Sequence, residues 1–305
     1  MRNSWNHRPL ARPPDRDMHG KPEPDQAGLK LGVVVVTHNS EKFLPGNVGS
    51  LLGQTLLPSH LVLVDSGSDA GGYVEAAGQQ ARGKIPVVEV ILEENLGFCG
   101  ASNLGYQMLQ GAADYVLFLN PDVFLGPETL ALLVARLRAG ERTGAASCLL
   151  LGYDITLGEP TGRIDSAGVF RTWYGRWYDR FQGRRLQDVD PGPCREVPAL
   201  TGALLLCRRQ ALQEVLLPGG NVFDPGFFMY KEDIDLCLRL RRRGWRLALD
   251  PEARSFHCRG WQDRAAMPKR FRLMSALNEI RICRKNGDPR ILYSLAKYLY
   301  VRLFE

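Results

Sequence analysis

Short apolar runs punctuate the first half of the chain: Gly32 to Val36, Leu61 to Val64, Val87 to Leu92 and Tyr115 to Leu119. Their residues are apolar in succession rather than in alternation, which predicts strands of a parallel sheet covered on both faces. Between them lie segments with room for crossover helices, roughly Glu41 to Gln54, Gly72 to Arg82, Gly100 to Gly111 and Pro127 to Ala139. Strand and helix in alternation predict a right-handed α/β wind. After about Gly144 the rhythm changes to shorter strand-like pieces, Ala145 to Leu151, Ile164 to Phe170, Ala203 to Cys207 and Arg246 to Leu249, set among Gly, Pro and aromatic loops. This half predicts a mixed-sheet extension. Near the end, Phe271, Met274, Leu277, Ile280 and Ile282 fall at helical spacing within Lys269 to Lys285.

Composition adds limits to that picture. With 45% hydrophobic residues in 305, the chain can bury a large core. Residues before about Ala27 are rich in Pro, Arg and Asp without apolar periodicity, which predicts a disordered leader over residues 1–28. No apolar run approaches the roughly 20 residues that span a bilayer, and the N-terminus lacks the apolar stretch of a signal peptide. Seven widely spaced cysteines with no CxxC pair point to reduced thiols. Together these predict a cytoplasmic protein. The formal charge of +6 is uneven: Glu252 to Glu305 holds twelve Lys or Arg against five Asp or Glu. Such a basic end suits lipid headgroups or phosphate.

The polar residues that follow the strands carry the candidate chemistry. They are Thr37-His38-Asn39, Asp65-Ser66-Gly67-Ser68, Glu94-Asn95 and Asn120-Pro121-Asp122. Each follows a strand at the carboxyl edge, where open α/β sheets bind ligands. The first strand runs into Thr37 to Ser40 rather than GxGxxG, and no GxxxxGK[ST] occurs, so hydride transfer and P-loop phosphoryl transfer are disfavoured. Each motif also has a plain structural reading. Asn95 to Asn103 reads as a turn and helix cap, Asp65 with Ser68 as an Asx turn, Asn120 to Asp122 as a β-turn and Asp233 as a helix cap.

The order of motifs VVVVTHNS, LVDSGSD, ENLGFCGASNLG, FLNPDV, LTGALLLCRR, FMYKEDIDLCLRLRRRGW and HCRG resembles the inverting GT-A glycosyltransferases of family 2, in particular their rhamnosyltransferase-like members. The likeness runs from about Leu31 to Gly287. It implies a GT-A fold, a Rossmann-like mostly parallel sheet flanked by helices with a mixed-sheet acceptor half. It divides residues 29–267 into a nucleotide-binding half, 29–143, and an acceptor half, 144–267, followed by a basic helical segment, 268–305.

By the same resemblance Thr37, Asn39, Asp65, Asn95, Gly97, Asn103, Asn120 and Asp122 bind the donor, with Asp65 accepting the imino N–H of uracil or thymine. Asn120 stands where the family's DxD motif has its first Asp. Asp122 and His257 are the implied ligands of Mg²⁺ or Mn²⁺, which would neutralise the departing diphosphate, and Arg259 is a candidate diphosphate contact. Asp233 is the implied general base; Asp235, one step on, is read as structural. Asp165, Thr201, Gly202, Ala203 and Glu232 are assigned to the acceptor side, with Trp173, Trp177 and Tyr178 as aromatic neighbours able to stack on a sugar.

The implied partners are a TDP-, UDP- or GDP-linked sugar, with TDP-rhamnose leading, and a glycan or lipid-linked acceptor used in cell-surface polysaccharide biosynthesis. No nucleic acid is expected. The basic segment after Pro268 reads either as a peripheral contact with the inner face of the membrane or as a helix packed on the domain with its charges in water. Two rivals stay open on sequence: a nucleotidyltransferase of related fold and a catalytically silent nucleotide-sugar binding module.

Overall fold

A computed structural model describes residues 28–109, 111–193, 195–258 and 267–305. The leader and Arg259 lie outside the described residues. In chain order the first half folds as β1 (Leu31–Thr37), α1 (Leu44–Leu52), β2 (His60–Ser66), α2 (Tyr73–Ala81), β3 (Val87–Leu92), α3 (Gly97–Met108), β4 (Tyr115–Leu119), β5 (Val123–Leu125) and α4 (Thr129–Ala139). The second half contributes β6 (Thr143–Asp154), β7 (Glu159–Ser166), β8 (Val169–Arg171), β9 (Trp177–Asp179), β10 (Arg195–Glu196), β11 (Leu204–Arg208), α5 (Arg209–Gln213), α6 (Glu232–Arg242) and β12 (Arg246–His257). Two helices, α7 (Lys269–Asn286) and α8 (Ile291–Phe304), close the chain.

The sheet runs β10-β12-β6-β11-β4-β1-β2-β3, with β5 on β12 and β7 on β6. Strands β4, β1, β2 and β3 are parallel. The run of valines in β1 explains why: Val33 and Val35 enter one core, while Val34 and Val36 enter the other across the sheet. A strand buried on both faces has no polar side to alternate with. Helix α3 lies so close to this sheet that a Cβ on Gly105 would stand 2.4 Å from Val34.

Direction changes at β11, which is antiparallel to both β4 and β6. Beyond it, β6 and β12 are parallel to each other. The α/β sheet with a mixed second half is therefore as the pattern of the chain implies. Three details differ.

Strand β3 ends the sheet with only β2 beside it, so Val88 and Ile91 are exposed rather than covered on both faces. The piece Ile164 to Phe170 is broken, because Gly168 at φ +90° turns the chain out of β7 into a separate β8–β9 hairpin. Helix α7 forms as expected, but Asn278 and Glu279 are buried while Leu277 faces out. Its inner face is set by docking against α8 and the loop before α6, not by the most apolar stripe.

Candidate functional site

At the carboxyl edge of β1 and β2 the strand-end residues bind one another. The Oγ–H of Ser68 donates to Asp65 Oδ1 at 2.5 Å, and the Tyr73 hydroxyl bridges Ser68 (2.8 Å) to Thr37 (2.9 Å). Asn39, at φ +49°, exchanges two 2.8 Å hydrogen bonds with Asp69. Asparagine tolerates this left-handed backbone better than most residues. From β3 onward, Asn95 Oδ1 accepts the Ser66 hydroxyl at 3.2 Å and the Gly97 N–H at 2.8 Å. Gly97 sits at φ +68° with the Phe228 carbonyl 2.4 Å from where a Cβ would be, so only glycine fits the approach. Asn103 stands apart from this edge: it is buried, donates to the Phe223 carbonyl at 2.9 Å and accepts the Phe223 N–H at 2.8 Å. Its amide ties α3 to the loop before α6.

A cleft of about 430 Å³ lies against the end of β4 and is lined by Asn120, Asp122, Gly202, Glu232, Asp233 and His257, with Thr201 and Ala203 beside Gly202. The Asn120 N–H donates to the Ala203 carbonyl at 2.9 Å, joining the two loops. The register of β5 on β12 sets His257 opposite Val123, the residue after Asp122. His257 Nε2 consequently lies 3.4 Å from Asp122 Oδ2. Its other nitrogen, Nδ1, is 2.7 Å from Asp165 Oδ2. Burial pulls the imidazole pKa down, but Asp122 and then Asp165 outweigh it and raise it to about 9.

Asp165, read from sequence as an acceptor contact, is thus a buried partner of His257. A carboxylate behind an imidazole whose far nitrogen meets a second carboxylate fits a divalent cation, with Asp165 holding the orientation of the His257 ring. No group of three or more His, Cys, Asp or Glu side chains able to hold a metal occurs among the described residues. Oxygens of a bound diphosphate would complete such a pair.

Asp233 sits in the first turn of α6, one residue after Glu232; the helix is entered through Lys231, and no side-chain cap is made. Its Oδ2 accepts the Gly202 N–H at 2.9 Å and its Oδ1 accepts the Ile234 N–H at 2.8 Å. Two backbone donors fix the carboxylate while leaving lone pairs toward the cleft. Beside it, Glu232 is buried with Oε2 unpartnered. Burial, reinforced by the charge of Asp233, pushes its carboxyl pKa up to about 8. Asp235 faces away, paired with Arg239 at 2.9 Å and Lys285 at 2.5 Å, in keeping with a structural role.

Two asparagines that the motifs did not single out hold this architecture. Asn47, buried in α1, donates to the carbonyls of Asn120 (3.0 Å) and Val123 (2.6 Å), fixing the turn that carries Asp122. Asn278, buried in α7, donates to the carbonyls of Met229 and Tyr230, both at 2.9 Å. There Tyr230 and Lys231 take φ of +68° and +71° in succession, a strained entry to α6. Each asparagine shares the apolar stripe of its helix, Asn47 with Leu44, Val48 and Leu51, and Asn278 with Met274 and Ile282. An amide in phase with such a stripe is the signal that could have found them. A smaller depression of about 150 Å³ around Tyr106, Leu109 and Arg209 shares no residue with the cleft.

Residues 32–216 match the sequence profile of the family described as glycosyl transferase family 2. The N-acetylglucosaminyl-diphospho-decaprenol L-rhamnosyltransferase of Mycobacterium tuberculosis is 31% identical over 245 residues, which are 74% of this chain and 75% of that protein. Rhamnosyltransferase WbbL of Escherichia coli is 28% identical over 159 residues, 52% of this chain and 58% of that one. Among solved structures, GalNAc-T7 with UDP, GalNAc and Mn²⁺ superposes with a TM-score of 0.68 at 20% identity; the match covers 91% of this chain and about half, 52%, of that one. Mannosyltransferase PcManGT from Pyrobaculum calidifontis, in complex with GDP-Man and Mn²⁺, gives 0.57 at 17% identity, covering 92% and 72%. These likenesses establish a shared GT-A fold.

Proposed function

The chain belongs to glycosyl transferase family 2, and we propose that it moves a hexose, rhamnose first among the candidates, with inversion from a nucleotide diphosphate donor to a hydroxyl of a glycan or lipid-linked acceptor. The M. tuberculosis relative, named for a polyprenol-linked acceptor and L-rhamnose, supports both the sugar and the acceptor class. On this reading the chain serves cell-surface polysaccharide assembly. Its standing as a sugar transferase sets aside the nucleotidyltransferase and the silent binding module.

The observation that carries the mechanism is that Asp233, Asp122 and His257 line one cleft. In the proposed displacement the acceptor oxygen bonds to the anomeric carbon as the bond from that carbon to the diphosphate oxygen breaks. The hydroxyl proton passes to Asp233, and the nucleoside diphosphate leaves with the bonding electrons. One base is sufficient for direct inversion, unlike the paired carboxylates of glycosidases. Mg²⁺ or Mn²⁺ held between Asp122 and His257 would supply Lewis-acid neutralisation of the leaving group. Glu232, protonated at neutral pH, is suited to donate a hydrogen bond to the acceptor. Thr201, Gly202 and Ala203 line the acceptor side.

On the donor side, Ser68 occupies Asp65 Oδ1, so the pyrimidine contact is assigned to Oδ2. Thr37, Asn39, Asn95 and Gly97 frame the nucleotide, and Asn120 faces the ribose. Asn103, whose amide nitrogen and oxygen are each bonded to Phe223, supports the donor loop from behind.

The test is Asp233→Asn assayed with nucleotide sugars and polyprenyl-linked acceptor. Transfer should fall by about 10²- to 10⁴-fold, while donor affinity measured by calorimetry changes less than about threefold. Unchanged turnover would remove Asp233 from the base role.

A further inference from the structure

Helix α8 shows solvent a face that is almost wholly apolar. Leu292, Leu299 and Leu303 are 74%, 52% and 67% exposed, Phe304 is 77% exposed, and Leu295 and Tyr300 flank them. The helix packs inward through Ser294 and Val301, which are fully buried. The ion pair of Lys297 with Glu279 and the contact of Ser294 with Cys283 hold that inner side to α7. The apolar side is therefore the outer one, because Ser294 and Lys297 are turned toward the protein and Arg302 is the one charged side chain of the helix that is exposed. A soluble helix has the opposite arrangement.

A second feature continues this surface. Trp173, at the tip between β8 and β9, is 88% exposed. Its ring lies 5.5 Å from that of Tyr174, which lies 5.1 Å from Tyr293 at the start of α8. At the same tip, a Cβ on Gly175 would come within 2.9 Å of Arg290 Cβ, so hairpin and helix meet closely. Exposed Trp beside an apolar helix is the pattern of groups that sit at a lipid–water boundary.

Charge selects the occupant. Residues 267–305 contain nine Lys or Arg and three Asp or Glu, an excess equal to the whole formal charge of the chain, +6. No helix among the described residues is long and apolar enough to cross a membrane. Fourteen helical residues extend only about 21 Å, short of a hydrocarbon core of about 30 Å.

We infer that α8 and Trp173 form a monotopic docking surface for an anionic lipid bilayer. The apolar face of α8 beds into the boundary between headgroups and acyl chains, and the surrounding basic side chains, the exposed Arg302 on the helix itself first among them, meet the lipid phosphates. The same β8–β9 hairpin reaches the cleft, since Trp177 and Tyr178 line it. Docking through Trp173 thus brings the acceptor side of the cleft to the bilayer surface. This last step rests on the proposed lipid-linked acceptor; lipid binding itself is read without donor or acceptor and so succeeds or fails separately.

The experiment is co-sedimentation of the full chain with vesicles of phosphatidylcholine alone or with about one third phosphatidylglycerol. Binding to the anionic vesicles should exceed binding to the neutral ones by about 10-fold and weaken as salt is raised. The triple variant L292Q/L299Q/L303Q, altered only at exposed positions, should lose about 10-fold or more of that binding while its melting temperature stays at or above that of the parent. W173A should lose severalfold. Equal binding by parent and triple variant, or no binding of the parent at low salt, overturns the inference. Concentration-dependent dimers abolished by the triple variant, without vesicle binding, would give the face to a second copy of the chain and equally overturn it.

Discussion

At the edge formed by β1, β2 and β3, Thr37, Asn39, Asp65 and Asn95 are held by their neighbours in adjoining loops. Around Asp122, Asp233 and His257 two of the supports come from much farther along the chain: Asp165 stands 92 residues from His257, and Asn47 stands 73 from Asn120 in the turn that carries Asp122. The first region is assembled by the ends of consecutive parallel strands and needs little beyond them. The second exists only when β5, β6, β7 and β12 are in register and α7 has docked. Binding of the nucleotide should therefore be separable from chemistry, with perturbations of the first region graded and those of the second sharing one large effect.

The sharpest test of this division is Asp165→Asn. Loss of its charge behind His257 should lower transfer by about 10- to 100-fold, in line with other second-shell partners of metal-binding histidines. Raised Mn²⁺ should recover part of the loss, and nucleotide affinity measured without metal should stay near that of the parent. Equal loss of metal-free nucleotide binding would break the comparison. On the other side, Asp65→Asn should raise donor KM by about 10-fold with kcat little changed, the signature of uniform binding lost. A drop in kcat at saturating donor would join the two regions into one.

Asn103→Ala probes the tie between them. Leaving the Phe223 N–H and carbonyl unpaired in the interior should cost about 1–3 kcal/mol in chemical denaturation, with donor KM unaffected once the protein is folded. The last effect expected is a slope, spread over several pH units. Glu232 has its carboxyl raised from 4.5 to about 8 in the folded chain, so the folded state holds a proton that the unfolded state releases between those values. Stability therefore declines as pH rises through that window, by at most about 1.4 kcal/mol per pH unit. Glu232→Gln should flatten the decline in melting temperature between pH 6 and 8, approximately the upper half of the window; an unchanged slope assigns it to other groups.

Much of the first region was legible in the sequence, because a parallel strand buried on both faces announces itself as an unbroken apolar run and the polar residues of the sheet's carboxyl edge come directly after it. Thr37, Asp65 and Asn95 stand at that edge where the reasoning put them, as does Asp122 of the second region. In the second region the motifs located Asp233 and His257, yet their supports were out of reach. Asp165 looked like part of an acceptor insert; only the pairing of β7 with β6 and of β6 with β12 carries it beneath His257. Nothing local to Asn103 foretells its tie to Phe223, 120 residues away. The pattern ILYSLAKYLYVRLF offered little by which to recognise α8 as amphipathic, since Ser294 and Lys297 lie inward and Arg302 is its one exposed charged side chain.

The clamp that Asn278 places on the carbonyls of Met229 and Tyr230 also bears on where this enzyme can be cut. The match to the family profile covers residues 32–216, ahead of Asp233, His257 and the clamp itself. A fragment trimmed to that boundary would keep the nucleotide shelf and forfeit the reaction. One trimmed after His257 would retain every proposed reacting group but release the left-handed bend at Tyr230 and Lys231, whose strain is of order 1–3 kcal/mol per residue. On the proposed mechanism the C-terminal hairpin belongs with the catalytic unit, and the shortest competent chain should run past Asn278.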